Sequence, residues 1–145
     1  MKQPLLAIIL IVSVLCNSTA SCNEGDNMTN NKITIKVNSK TFTATLFNNG
    51  PAKAFKEILP LKLNMTELNG NEKYYDLSKN LPANSSNPET INNGDLALYG
   101  SKTIVLFYKT FSTSFSYTKL GQIEDPSGLA EVLGSENVSV VFELK

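Results

Sequence analysis

The sequence contains no histidine, no arginine and no tryptophan, so each of its 13 basic residues is a lysine. Without His there is no Ser-His-Asp or Cys-His relay to activate a nucleophile. The two cysteines, Cys16 and Cys22, both lie near the N-terminus, and with no interior Cys and no His a tetrahedral zinc site is excluded. The eight glycines are scattered turn and helix-stop residues rather than a phosphate-cradling loop. No cofactor and no metal are expected. The 13 acids balance the 13 lysines, which leaves no strong field to attract nucleic acid or an anionic membrane surface. Long apolar runs are also lacking: the stretch from Leu5 to Leu15 is too short to serve as a permanent membrane span.

That stretch follows Lys2 and precedes the small residues from Asn17 to Ser21, the layout of a signal-peptide core over residues 1–21. Thr19-Ala20-Ser21-Cys22 resembles the bacterial lipobox, in which cleavage precedes a Cys whose thiol carries a diacylglyceryl group. Thr19 stands where that motif usually has Leu. Cys16 falls in the segment removed, so the mature chain keeps one thiol and no internal disulfide. The resemblance implies lipidation at Cys22 and a place in the bacterial cell envelope, periplasmic or surface-facing, with membrane contact only through that lipid. Residues 22–31 are polar and without periodicity, a flexible tether. Residues 32–145 read as one domain, expected to be monomeric.

Within the domain, apolar residues alternate with polar ones in several short runs. Ile33, Ile35 and Val37 mark one strand, and Phe42, Ala44 and Leu46 mark a second after a turn at 38–40. An Asn N-cap and Pro51 open a short helix with Ala52, Phe55, Ile58 and Leu59 on one face, ended by Pro60. Leu61, Leu63 and Met65 give a third strand. Residues 67–90 read as a long irregular excursion, functional or mobile. Residues 95–108 form a second hairpin whose core, Ile104 to Tyr108, reads as a strand buried on both faces. In the tract 110–118 an extended chain would place Phe111, Thr113, Phe115 and Tyr117 on one face and hydroxyls on the other. Asp125-Pro126 opens a helix with Leu129, Val132 and Leu133 inward and Gly134 as its stop. Val138, Val140 and Phe142 close the chain. Six to eight short strands with two short helices predict a mainly β fold, a small closed barrel that leaves few edges exposed.

The order of these pieces resembles the cyclophilin barrel. The hairpin 33–47 and Asn49-Gly50-Pro51-Ala52-Lys53-Ala54-Phe55 are similar to the first hairpin and helix of prolyl isomerases. Gly94-Asp95-Leu96 with Ile104 to Tyr108 resembles their later central strands. Leu120-Gly121-Gln122-Ile123 and a helix over 126–133 resemble a turn and the second helix. More closely, residues 32–144 resemble the minimal bacterial cyclophilin-like family, through Leu59-Pro60, Asn71-Glu72-Lys73-Tyr74, Leu81-Pro82, Gly94-Asp95-Leu96 and 116–121. Prolyl isomerases of this fold use an Arg at the twisting bond, backed by Gln, Phe, Trp and His. Here the matching position near Met65 to Glu67 offers no cation. The resemblance therefore implies the barrel without the catalytic set.

No catalytic residue is assigned. The expected function is a non-catalytic binding module gripping a peptide or small ligand at an aromatic cleft, with Tyr74, Tyr75, Tyr99, Phe111, Thr113, Phe115 and Tyr117 as candidate ligand-binding residues. Tyr108 and the hydroxyls of Ser114 and Ser116 are further candidates. A divergent prolyl isomerase and an accessory subunit for a flavodoxin-like redox partner are the alternatives. Glu72 and Asp76, beside Tyr74-Tyr75, read as solvated loop acids. Asp125 reads as a helix cap rather than half of a carboxylate pair with Glu124, and Asp95 as tying down its own turn.

Overall fold

The structure, a computed structural model, describes residues 31–145. The signal sequence, Cys22 and the tether up to residue 30 lie outside the described residues. Strands β1 (Lys32–Val37) and β2 (Lys40–Leu46) form the opening hairpin. Asn38 turns it at φ 53°, a left-handed conformation that Asn tolerates better than most residues. Helix α1 (Gly50–Glu57) follows, with the Asn49 side chain accepting from the Ala52 amide at 2.8 Å and Pro51 in the first turn. Phe55 is fully buried and meets Phe142 edge-on at 5.8 Å. The apolar face of α1 ends there, because Ile58 lies past the helix and is 38% exposed.

The remaining elements are β3 (Leu61–Leu68), β4 (Glu72–Asp76), β5 (Thr90–Ile91), β6 (Asp95–Tyr99), β7 (Thr103–Phe107), β8 (Phe111–Ser112), β9 (Thr118–Ile123), α2 (Leu129–Leu133) and β10 (Val138–Leu144). Eight strands close an antiparallel barrel in the order β1-β10-β3-β4-β7-β6-β9-β2, and β5 pairs with β8 in a separate ribbon. Inside, Ile33, Ile35, Phe42, Leu63, Met65, Leu96, Leu98, Ile104, Leu106, Leu120, Val140 and Phe142 form one continuous core. Gly121 lets β9 approach β2 closely: a Cβ there would sit 2.5 Å from the Thr45 carbonyl oxygen, backbone that has no freedom to yield.

Four expectations need correcting. The irregular excursion 67–90 contains a barrel strand, β4, and only its later part lacks regular structure. Leu120 to Ile123 belong to strand β9 rather than to a turn. The second helix begins at Leu129, with Gly128 as its cap, and the Asp125 carboxylate instead holds a local turn by accepting from the Ser127 amide at 3.1 Å. The tract 110–118 is not extended throughout: only 111–112 are strand before β9 begins at Thr118. Asp95 does hold its own turn, accepting from the Asn92 amide at 2.8 Å.

The run Ile104–Phe107 is buried on both faces because two cores share β7. Ile104 and Leu106 face the barrel interior. Val105 and Phe107 face outward into a second, smaller core with Ile91, Ala97 and Tyr117, edged by Tyr74 and Phe111. A barrel strand with only solvent outside would show strict alternation. The outer layer, made by the β5–β8 ribbon and the segment leading to Tyr117, removes it.

Candidate functional site

The outer core leaves a cleft at its edge. The cleft has a volume of about 520 Å³, and its lining includes Tyr74, Tyr99, Phe111, Thr113, Phe115 and Tyr117. Their convergence follows from strand parity. Tyr74 on β4 and Val105 on β7 are register partners and point outward together. Tyr117 is fixed by a bridge to Ser86, with both backbone N–H···O distances at 3.0 Å. Phe111 arrives on β8 through its pairing with Ile91. The rings then run in contact: Phe111 to Phe107 at 5.8 Å and Tyr117 to Tyr99 at 5.7 Å are tilted, and Phe107 to Tyr117 at 5.3 Å and Tyr99 to Phe115 at 6.4 Å are edge-on. Phe107 and Tyr117 are buried, whereas Tyr99 is 47% and Phe115 60% exposed. The inner rings are structural, and the outer two form an open lip.

Tyr75 is not part of this group. It takes the opposite parity on β4 and packs against the barrel core. Tyr108 likewise lies in the barrel core. Ser114 lines the cleft. The Tyr117 phenol is pushed above its ordinary range, first by burial and then by the charge of Glu72, against a hydrogen bond with Thr113.

Glu72 and Asp76, expected in solvent, line the same cleft. Asp76 is exposed and its carboxylate accepts from the Thr103 hydroxyl at 2.5 Å. Glu72 is 91% buried, being only 9% exposed. Burial, and then repulsion from Glu67, raise its pKa. A carboxyl whose folded-state pKa lies above the unfolded one favours folding most when protonated. That contribution is lost as pH rises through the ordinary carboxylate range towards the raised value.

On the inner side of the same strand lies a group that alternation could not reveal. Lys73 is fully buried and directly opposite Glu67 in the β3–β4 ladder. Its ammonium donates to Glu67 Oε1 at 3.0 Å, to the Gly134 carbonyl at 2.9 Å and to the Glu136 carbonyl at 2.6 Å. Those are all the donors an ammonium has. The Tyr108 hydroxyl also donates to Glu67 Oε1, and the Gly70 amide donates to Oε2 at 2.9 Å. Burial works to raise the Glu67 pKa, but the hydrogen bonds from Tyr108, Lys73 and Gly70 outweigh it and hold the carboxyl below its usual range. Burial and the bond to Glu67 push the Tyr108 phenol well above its own. Residues 65–67 themselves offer no cation, and β4 supplies one across the ladder. With all three N–H groups engaged and no exposure, the Lys73 ammonium ties the β3–β4 pair to residues 134–136.

Among the described residues no group of three or more His, Cys, Asp or Glu is placed to hold a metal, and no helix is long and apolar enough to cross a membrane.

Compared with known proteins, residues 35–143 match the profile of the cyclophilin-like family. The solution structure of a hypothetical protein from Archaeoglobus fulgidus is similar over 83% of this chain and 99% of its own, with a TM-score of 0.56 and 21% sequence identity, a likeness of fold. No curated protein matches.

Proposed function

This chain belongs to the cyclophilin-like family, and from that premise we propose that it is a binding module taking an extended peptide or small molecule in the outer aromatic cleft. The observation that carries the reading is the open lip: Tyr99 and Phe115 stay 47% and 60% exposed, Tyr99 lying against the buried Tyr117 ring and Phe115 edge-on to Tyr99. Exposed rings held by a rigid aromatic base, beside a concavity of about 520 Å³, have the character of a preformed ligand site. Two observations support binding without isomerisation. The chain has no arginine, and the Lys73 ammonium is wholly engaged inside the barrel. Twisting an X-Pro bond requires lowering a barrier of about 18–20 kcal/mol, for which a planar, accessible guanidinium suits far better than a buried point charge. The test titrates the protein with a proline-containing tetrapeptide while its isomerisation is followed. Binding that shifts the Tyr99 and Tyr117 amides, with isomerisation at the uncatalysed rate, is the expected result. Acceleration above that rate would make the runner-up, a divergent prolyl isomerase, the better reading.

The Thr19-Ala20-Ser21-Cys22 motif supports a lipid tether at Cys22 that carries the module on a bacterial envelope membrane. Cys22→Ser is expected to move the protein from the membrane to the soluble fraction. Unchanged membrane association of that variant would remove the lipid from the proposal.

A further inference from the structure

Glu72 is the one carboxylate in the cleft with no evident structural role. It sits on β4 between the outer core and the cleft, only 9% exposed. Among the described residues its side chain makes no hydrogen bond and no ion pair. The charged neighbour that acts on it, Glu67, disfavours its ionisation, and its own charge in turn disfavours ionisation of Tyr108 and Tyr117. Holding a carboxylate largely out of water with no donor from the chain is costly, and its oxygens, unlike Asn71 Oδ1, are not shut off from solvent. Glu67, the preceding acid in the chain, shows the contrast, with three donors on its two oxygens. Asn71, also lining the cleft, has its Oδ1 shielded from solvent without a donor. No lysine lines the cleft, and its two acids share it with five aromatic rings, whose faces attract cations.

We infer that the cleft takes an organic ammonium, a protonated amine whose N–H groups reach the Glu72 carboxylate while its carbon body lies among Tyr74, Tyr99, Phe115 and Tyr117. The inference rests on the reading of this cleft as the binding site and names the class of its ligand. An amine bearing N–H is favoured over a quaternary cation because Glu72 lacks donors, which a quaternary nitrogen cannot supply. An inorganic cation is disfavoured because Asp76 is already engaged by Thr103 and, among the described residues, no third His, Cys, Asp or Glu joins the two acids. A free amine and a peptide lysine share this chemistry.

The test titrates the protein at pH 7 with phenethylammonium and with 2-phenylethanol, its neutral counterpart, following backbone amides by NMR. In a second arm a lysine tripeptide is compared with its norleucine analogue. Both cations are expected to bind at least tenfold more tightly than their neutral partners, with shifts at Glu72, Val105 and Tyr117. The tighter of the two identifies the source. Glu72→Gln is expected to abolish the preference for the cations, to leave the neutral probes unaffected, and to melt at a higher temperature than the wild type. Equal binding of cation and neutral probe by the wild type, which needs no variant, would overturn the ammonium inference and leave the cleft as a site. The same holds for a preference that survives in Glu72→Gln. Absence of any shift at the cleft with all four probes would overturn the cleft reading too.

Discussion

Replacing Lys73 by Ala is expected to lower the folding stability by about 3–5 kcal/mol, the range for removing one partner of a buried, fully bonded ion pair. The expectation follows from what the ammonium joins. It ties the β3–β4 ladder, through Glu67, to the carbonyls of Gly134 and Glu136 just beyond α2. Its loss leaves those two carbonyls without their donor, and Glu67 with only Tyr108 and Gly70. The same group predicts an acid dependence. The Glu67 pKa is lower in the folded chain than in the unfolded one, so its contribution is complete above the ordinary carboxylate range. It is lost as pH falls through the folded value. In Lys73→Ala the Glu67 pKa should return towards its ordinary value, and the acid transition should move to higher pH. Urea unfolding of both proteins between pH 3 and 7 measures the two effects together. A loss below about 1 kcal/mol would show that this pair is no better than a surface ion pair.

Phe107→Ala is expected to cost a further large amount, about 3–5 kcal/mol as for other fully buried aromatic truncations. Its local consequence is more telling. Phe107 is the ring on which Phe111 and Tyr117 both rest, at 5.8 and 5.3 Å, so its removal takes the support from beneath the cleft. The amides of Thr113 and Tyr117, bonded to the Glu89 and Ser86 carbonyls, should exchange with solvent much faster than barrel amides such as those of Ile35 and Val140. Leu106→Ala, the neighbouring truncation into the barrel interior, should destabilise by about 2–5 kcal/mol without that selectivity. If Phe107→Ala raised exchange evenly through the chain, the outer layer would be no separate cooperative unit.

The parts of the fold legible in the sequence are those whose environment is uniform on each face. β1, β2, β3 and β10 alternate cleanly because one side meets the core and the other meets water. The Asn49 cap and Pro51 mark α1 for the reason any helix start is marked. β4 was hidden because its inward position carries Lys73 and its outward positions carry Glu72 and Tyr74, so hydrophobicity reports neither face. Only the cross-strand partner Glu67, five residues before Glu72, hints at the pair, and a Glu and a Lys six positions apart carry no signal until a hairpin brings them opposite. The candidate site is legible as an aromatic composition: ring type marks Tyr74 and Tyr99, parity along 110–118 marks Phe111, Phe115 and Tyr117, and the fold brings them together. Tyr75 and Tyr74 are indistinguishable in sequence, and the register of β4 alone separates them. Burial of Glu72 depends on the ribbon laid over β7, a long-range fact that no local pattern encodes.

The central claim is that the ligand site is this outer aromatic cleft. Crystals of the protein soaked with a set of small aromatic amines and neutral fragments test it most directly. The account predicts density between Tyr74, Tyr99 and Tyr117, with the nitrogen of each amine turned towards Glu72. Fragments that settle instead in the groove beside α1, at Phe47, Asn49 and Lys53, while the aromatic cleft stays empty at saturating concentration, would contradict it.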